Sequence, residues 1–175
     1  MAIVPDSKDW TWVLDRPCPE CGYDAGRVDR ADIPRLVREA TGTIRVALGR
    51  PGATQRPDES TWSVLEYGCH VRDVCRVFDE RLLLMLTEDD PLFANWDQDR
   101  TAEDERYAEQ DAVAVAGELA AEAEAVADRY GSVRNEQWPR PGRRSNGSVF
   151  TVESLGRYLV HDLAHHAHDV SRDRR

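Results

Sequence analysis

Lysine is nearly missing from this 175-residue chain: Lys8 stands alone among 23 basic residues, and the rest are arginine. That bias fits a GC-rich coding sequence and carries no mechanism. A basic excess is missing too, since 33 acidic residues leave a net charge of −10, which argues against general affinity for nucleic acid or an anionic membrane. No apolar run approaches the roughly 18 residues a membrane span needs. The opening Met1-Ala-Ile-Val-Pro-Asp-Ser-Lys8 lacks a basic region followed by an apolar stretch, so a cytoplasmic location is expected. Phosphate loops, a G-x-S-x-G elbow and dinucleotide fingerprints are absent as well. Cysteine is scarce, with Cys18-Pro-Glu-Cys21 and the separate Cys69 and Cys75, which do not share a helical face, and in a reducing cytosol these are no disulfide framework. Cys18 and Cys21 have the spacing of half a zinc knuckle and are a candidate second metal site. No second C-x-x-C completes it, and a tight turn ending in Gly22 is the simpler expectation.

What is present is helical periodicity, with no sustained alternation, so the fold class is all-α. The length suits a single domain spanning 1–175, with 1–30 as an N-terminal extension and 31–170 as a helical bundle. Ile33, Leu36, Val37, Ala40, Ile44 and Leu48 mark a helix over 33–48, with Asp32 placed to cap it and Gly49-Arg-Pro-Gly52 ending it. Ser63 and Glu66 form a capping box for a second helix running to about Leu86. The Ala/Glu-rich run from Asp111 to Tyr130 carries the narrow stripe Ala112, Ala116, Leu119, Ala123, Val126 and Tyr130, and Gly131 stops it. A last helix covers roughly Val152 to Val170. The connections 87–110 and 131–150 are long for a minimal bundle and should hold a functional mouth or a short extra element.

Histidine is concentrated where it matters. Four of the five fall at His161, His165, His166 and His168, and His70 stands on the second helix. Tyr158, His161, His165 and His168 fall on one side of the last helix, and His166 points elsewhere. A cluster at a helix C-terminus can be nothing more than a favourable partner for the helix dipole. Leu155, Leu159 and Leu163 make this helix core-facing, however, and buried neutral imidazoles need partners that a metal supplies.

Trp62-Ser63, His70 on the second helix and His161-x-x-x-His165 on the last together resemble the DinB-like (DinB/YfiT-like) four-helix-bundle superfamily, which includes mycothiol- and bacillithiol-dependent transferases and mycothiol-dependent maleylpyruvate isomerases. The resemblance implies an antiparallel four-helix bundle with long connecting loops. It also implies a divalent metal, zinc or nickel, held by His70, His161 and His165, with His168, Tyr158 and Trp62 lining the site. Glu66, Asp73, Asp162 and Asp169 are available to orient the imidazoles. Three imidazoles leave an open metal position, where a thiol such as mycothiol would be deprotonated to attack a small electrophile. The expected activity is therefore a thiol-dependent S-transferase or isomerase acting on a small molecule, with a metal-dependent hydrolase or a non-catalytic metal- or ligand-binding module as the alternatives. A homodimer is compatible with the pattern. His161-Asp162-x-x-His165 departs from the HExxH protease motif in its shorter carboxylate and lacks a downstream third ligand. Cys69 diverges by about 100° from His70 and reads as a core thiol.

Overall fold

The computed structural model describes residues 10–172. Four long helices dominate: α1 (Ile33–Leu48), α2 (Val64–Thr87), α4 (Ala112–Gly131) and α5 (Val152–Ser171), with a short α3 (Gln98–Asp104) between α2 and α4. Their starts follow local chemistry. The Ser63/Glu66 capping box opens α2, Asp111 caps α4 through the Ala114 N–H, and a Thr151/Ser154 box opens α5. Asp32, expected to cap α1, makes no such bond; it pairs with Arg35, and the preceding 3-10 turn is capped by Asp29 instead.

The arrangement around the core is not that of sequential neighbours. Both α1 and α2 pack along α4 and along α5, whereas α1 meets α2 less and α4 and α5 scarcely touch. The ring order is thus α1, α4, α2, α5, which puts consecutive α1 and α2 on a diagonal. Leucine, isoleucine and valine fill the interior, including Ile33, Ile44, Leu65, Leu82, Leu119, Leu155, Leu159 and Leu163. Gly156 lets α5 approach α1 and α4, since a Cβ there would stand 2.7 Å from Ile33 Cδ1 and 2.8 Å from Tyr130 Cε1.

The long connections hold the extra element. β1 (Leu92–Phe93) pairs parallel with β2 (Pro141–Arg144), which pairs antiparallel with β3 (Val149–Thr151). This small sheet closes one end of the bundle and feeds directly into α5. The N-terminal segment forms a 3-10 turn, Trp10–Leu14, that packs on α5. No described helix is long and apolar enough to cross a membrane.

Candidate metal centre

Helix α5 presents two histidine-bearing faces offset by one residue, which is about 100° of rotation. One carries His161 and His165, the other Asp162 and His166. Each collects a separate group of ligand-type atoms lying within 4.8 Å of one another: Cys18, Cys21, His161 and His165 in the first, and His70, Asp162 and His166 in the second. The expected triangle of His70, His161 and His165 does not form such a group among the described residues. His70 on α2 faces the 162/166 side of α5, while the N-terminal segment covers the 161/165 side.

In the group between α2 and α5, Asp162 Oδ1 lies 3.6 Å from His70 Nε2 and 3.6 Å from His166 Nε2. Those distances are too long for hydrogen bonds, and Oδ1 is buried with no hydrogen-bond partner. They are close to the separation of about 3.4 Å that two ligands of a tetrahedral zinc would show, given metal–ligand bonds of about 2.0–2.2 Å. Behind His166, Nδ1 lies 3.3 Å from Asp169 Oδ2, so a carboxylate backs the ring and turns Nε2 inward. His70 is completely enclosed: Trp96 stacks on it at 5.6 Å, Trp62 lies at 5.3 Å, and the His166 ring stands perpendicular at 4.8 Å.

Burial holds His70 below the ordinary histidine range in spite of Asp162 nearby. Burial works against the Asp162 carboxylate, but the facing imidazoles, His70 first, outweigh it and bring it down to about 2. At neutral pH His70 therefore offers a neutral imidazole and Asp162 a carboxylate, the protonation states a cation requires. A cavity of about 120 Å³ opens beside it, lined by Asp162 and His166 of this group, by His161 and His165 of the other, and by Trp10, Gln98 and Tyr158.

The DinB superfamily model matches residues 37–170. This chain belongs to the DinB superfamily. Among solved structures, YfiT from Bacillus subtilis, described as a probable metal-dependent hydrolase with an unusual four-helix bundle topology, superposes with a TM-score of 0.72 at 19% identity, covering 82% of this chain and 86% of YfiT. No curated protein sequence matches.

Within this DinB bundle the other expected site residues divide. Tyr158 lines the cavity and Trp62 packs on His70. His168 is half-buried near the end of α5 and does not line the cavity. Asp162, expected to orient an imidazole, stands among the ligand-type atoms themselves. Glu66 does not reach His70: it accepts from Ser63 in the capping box and pairs with Arg56. Asp73 is also turned away, accepting from the Tyr107 hydroxyl at 2.5 Å and pairing with Arg72 and Arg76. Cys69 is a buried core thiol pushed up to about 12 by burial. Arg72 and Arg81 are buried and engaged elsewhere, Arg72 with Asp73 and Glu118 and Arg81 with the Ala94 carbonyl. Asp169, expected to orient an imidazole, backs His166, and His166 is the member that helix spacing pointed away from.

Proposed function

We propose that this DinB superfamily member is a metal-dependent enzyme for a small substrate, holding a divalent ion through His70, Asp162 and His166 and working as a hydrolase. The observation that carries this is Asp162 Oδ1 standing unpartnered and equidistant from two Nε2 atoms. Two imidazoles and a carboxylate with an open position suit catalytic zinc, and nickel tolerates the same donors. A divalent ion there would lower the pKa of a coordinated water or thiol and so supply a nucleophile at neutral pH.

The chain's own residues bind, orient and exclude. Asp169 fixes the ring of His166, and Trp62 and Trp96 shield His70 from solvent. Gln98 and Tyr158 add polar side chains to the cavity wall beside the histidines. The cavity of about 120 Å³ beside the group gives water and a small substrate access to the ion. The test is turnover of a panel of small esters and amides by the zinc- or nickel-loaded chain, with and without mycothiol. Turnover without thiol, abolished by chelation and in His166→Ala, is expected. Turnover only with thiol would replace hydrolysis by S-transfer or isomerisation at the same ion. Metal binding with no turnover under either condition would make the protein a binding module and overturn the enzymatic reading.

A further inference from the structure

The second group of ligand-type atoms lies outside the proposed ion position and brings the Cys18/Cys21 pair, which neither helix periodicity nor fold family explains, together with His161 and His165. Cys18 and Cys21 sit in a turn in which the Gly22 N–H donates to the Cys18 carbonyl at 2.9 Å and the Cys18 N–H donates to the Tyr23 carbonyl at 2.8 Å. Gly22 has φ +76°, a backbone conformation in which glycine is unstrained and which lets the chain reverse directly after the second cysteine. Both thiols are reduced, and Cys18 is buried. Opposite them, His161 and His165 project from successive turns of α5, so four donors, two sulfur and two nitrogen, fall within 4.8 Å of one another.

Three further observations point to an ion. Cys18 Sγ lies 3.8 Å from His165 Nδ1, close to the separation of about 3.6 Å that tetrahedral zinc gives a sulfur at ~2.3 Å and a nitrogen at ~2.0–2.1 Å. The other nitrogen of His165, Nε2, faces two carboxylates beyond hydrogen-bond distance, Glu20 at 3.6 Å and Asp169 at 3.8 Å, so carboxylates stand on the side where a metal-bound histidine takes one. His161 is 4% exposed, and its Nε2 is buried with no hydrogen-bond partner, a desolvation cost that a bound ion would remove. Aromatic rings pack on the group, with Trp10 at 5.7 Å from His161 and 5.3 Å from His165, and Tyr23 at 5.4 Å from His161.

We infer that Cys18, Cys21, His161 and His165 form a closed Cys2His2 zinc site that fastens the N-terminal segment to α5. Binding replaces the two thiol protons, which leave to solvent, so a divalent ion and two thiolates make a centre of zero net charge that tolerates burial. The site is structural, because all four positions are filled by protein and none is left for substrate. Its consequence for the cavity is positional: His161 and His165 are held in the cavity wall, and the anchored segment adds Trp10 to it.

The test uses the full chain loaded with zinc, in the wild type, in His166→Ala and in Cys18→Ser/Cys21→Ser. His166→Ala isolates this site from the catalytic one, so failure of the catalytic reading is read separately. It should retain about one zinc per chain, with X-ray absorption showing two sulfur neighbours near ~2.3 Å and two nitrogen neighbours near ~2.0–2.1 Å. The double cysteine variant should lose that equivalent, and amide exchange over residues 10–28 should accelerate while α2 and α4 keep their protection, which distinguishes loss of an anchor from global unfolding. Zinc in His166→Ala with only nitrogen and oxygen neighbours, no zinc at all, or a wild-type mass two daltons low from a Cys18–Cys21 disulfide would each overturn the assignment.

Discussion

Asp169→Asn isolates the contribution of the group behind His166. The Asp169 carboxylate lies 3.3 Å from His166 Nδ1, at the long end of a charge-assisted hydrogen bond, and its side chain is 21% exposed. Removing such an orienting carboxylate costs about 10- to 100-fold in metal affinity, and the long, partly solvated contact here places the effect near the lower bound, about tenfold or ~1.4 kcal/mol. Asparagine keeps an acceptor oxygen and loses only the charge, whereas Asp169→Ala removes both and should move toward the upper bound. Because Asp169 Oδ2 also faces His165 at 3.8 Å, the measurement belongs in the Cys18→Ser/Cys21→Ser background, where only the His70 group competes for metal. The assay is a zinc titration against a chromophoric chelator at pH 7.5. An affinity within twofold of the parent for both variants would refute the claim that Asp169 orients a ligand, and with it the assignment of His166 Nε2 as a donor.

Other expectations follow from burial. Burial holds His161 down to about 4, against about 6.5 in the unfolded chain, so between those values the unfolded state binds a proton that the folded state does not. Metal-free protein should therefore lose stability as pH falls from 6.5 toward 4, with no contribution from this residue above 6.5, and melting temperatures of the wild type and His161→Gln should converge as pH is lowered. Gly156→Ala gains about 1 kcal/mol of helix propensity but drives a methyl to 2.7 Å from Ile33 and 2.8 Å from Tyr130, both fully buried. Overpacking of that kind costs about 1–3 kcal/mol, so urea denaturation should show net destabilisation with an unchanged m-value; a more stable variant would mean that α5 slides freely against α1.

The helices were legible because each carries its own stop and start chemistry, and α1, α2, α4 and α5 begin and end within a residue or so of the positions that Ser63, Asp111 and Gly131 mark. The sheet was not, since strands of two to four residues are too short to show alternation. The DinB fold and a histidine-bearing final helix could be anticipated, but which face of that helix meets His70 could not be taken from the HxxxH spacing alone. Asp162 and His166 repeat that same spacing one residue later. A signal was present: Asp162 and His166 lie seven residues beyond Leu155 and Leu159, on the continuation of the core stripe, whereas His161 and His165 lie seven beyond Ser154 and Tyr158. The residues that face Cys18 and Cys21, His161 and His165, were likewise in the sequence, on α5 and not in a second C-x-x-C. Only the packing of Trp10–Leu14 against α5 brings the halves together.

The most direct measurement is an anomalous difference map from crystals of the Cys18→Ser/Cys21→Ser chain grown with zinc, collected on both sides of the absorption edge. The account predicts one peak bonded to His70 Nε2, Asp162 Oδ1 and His166 Nε2 at about 2.0–2.2 Å, with a fourth position facing the cavity. A peak ligated by His161 and His165 together with His70, or no peak between α2 and α5, would contradict it.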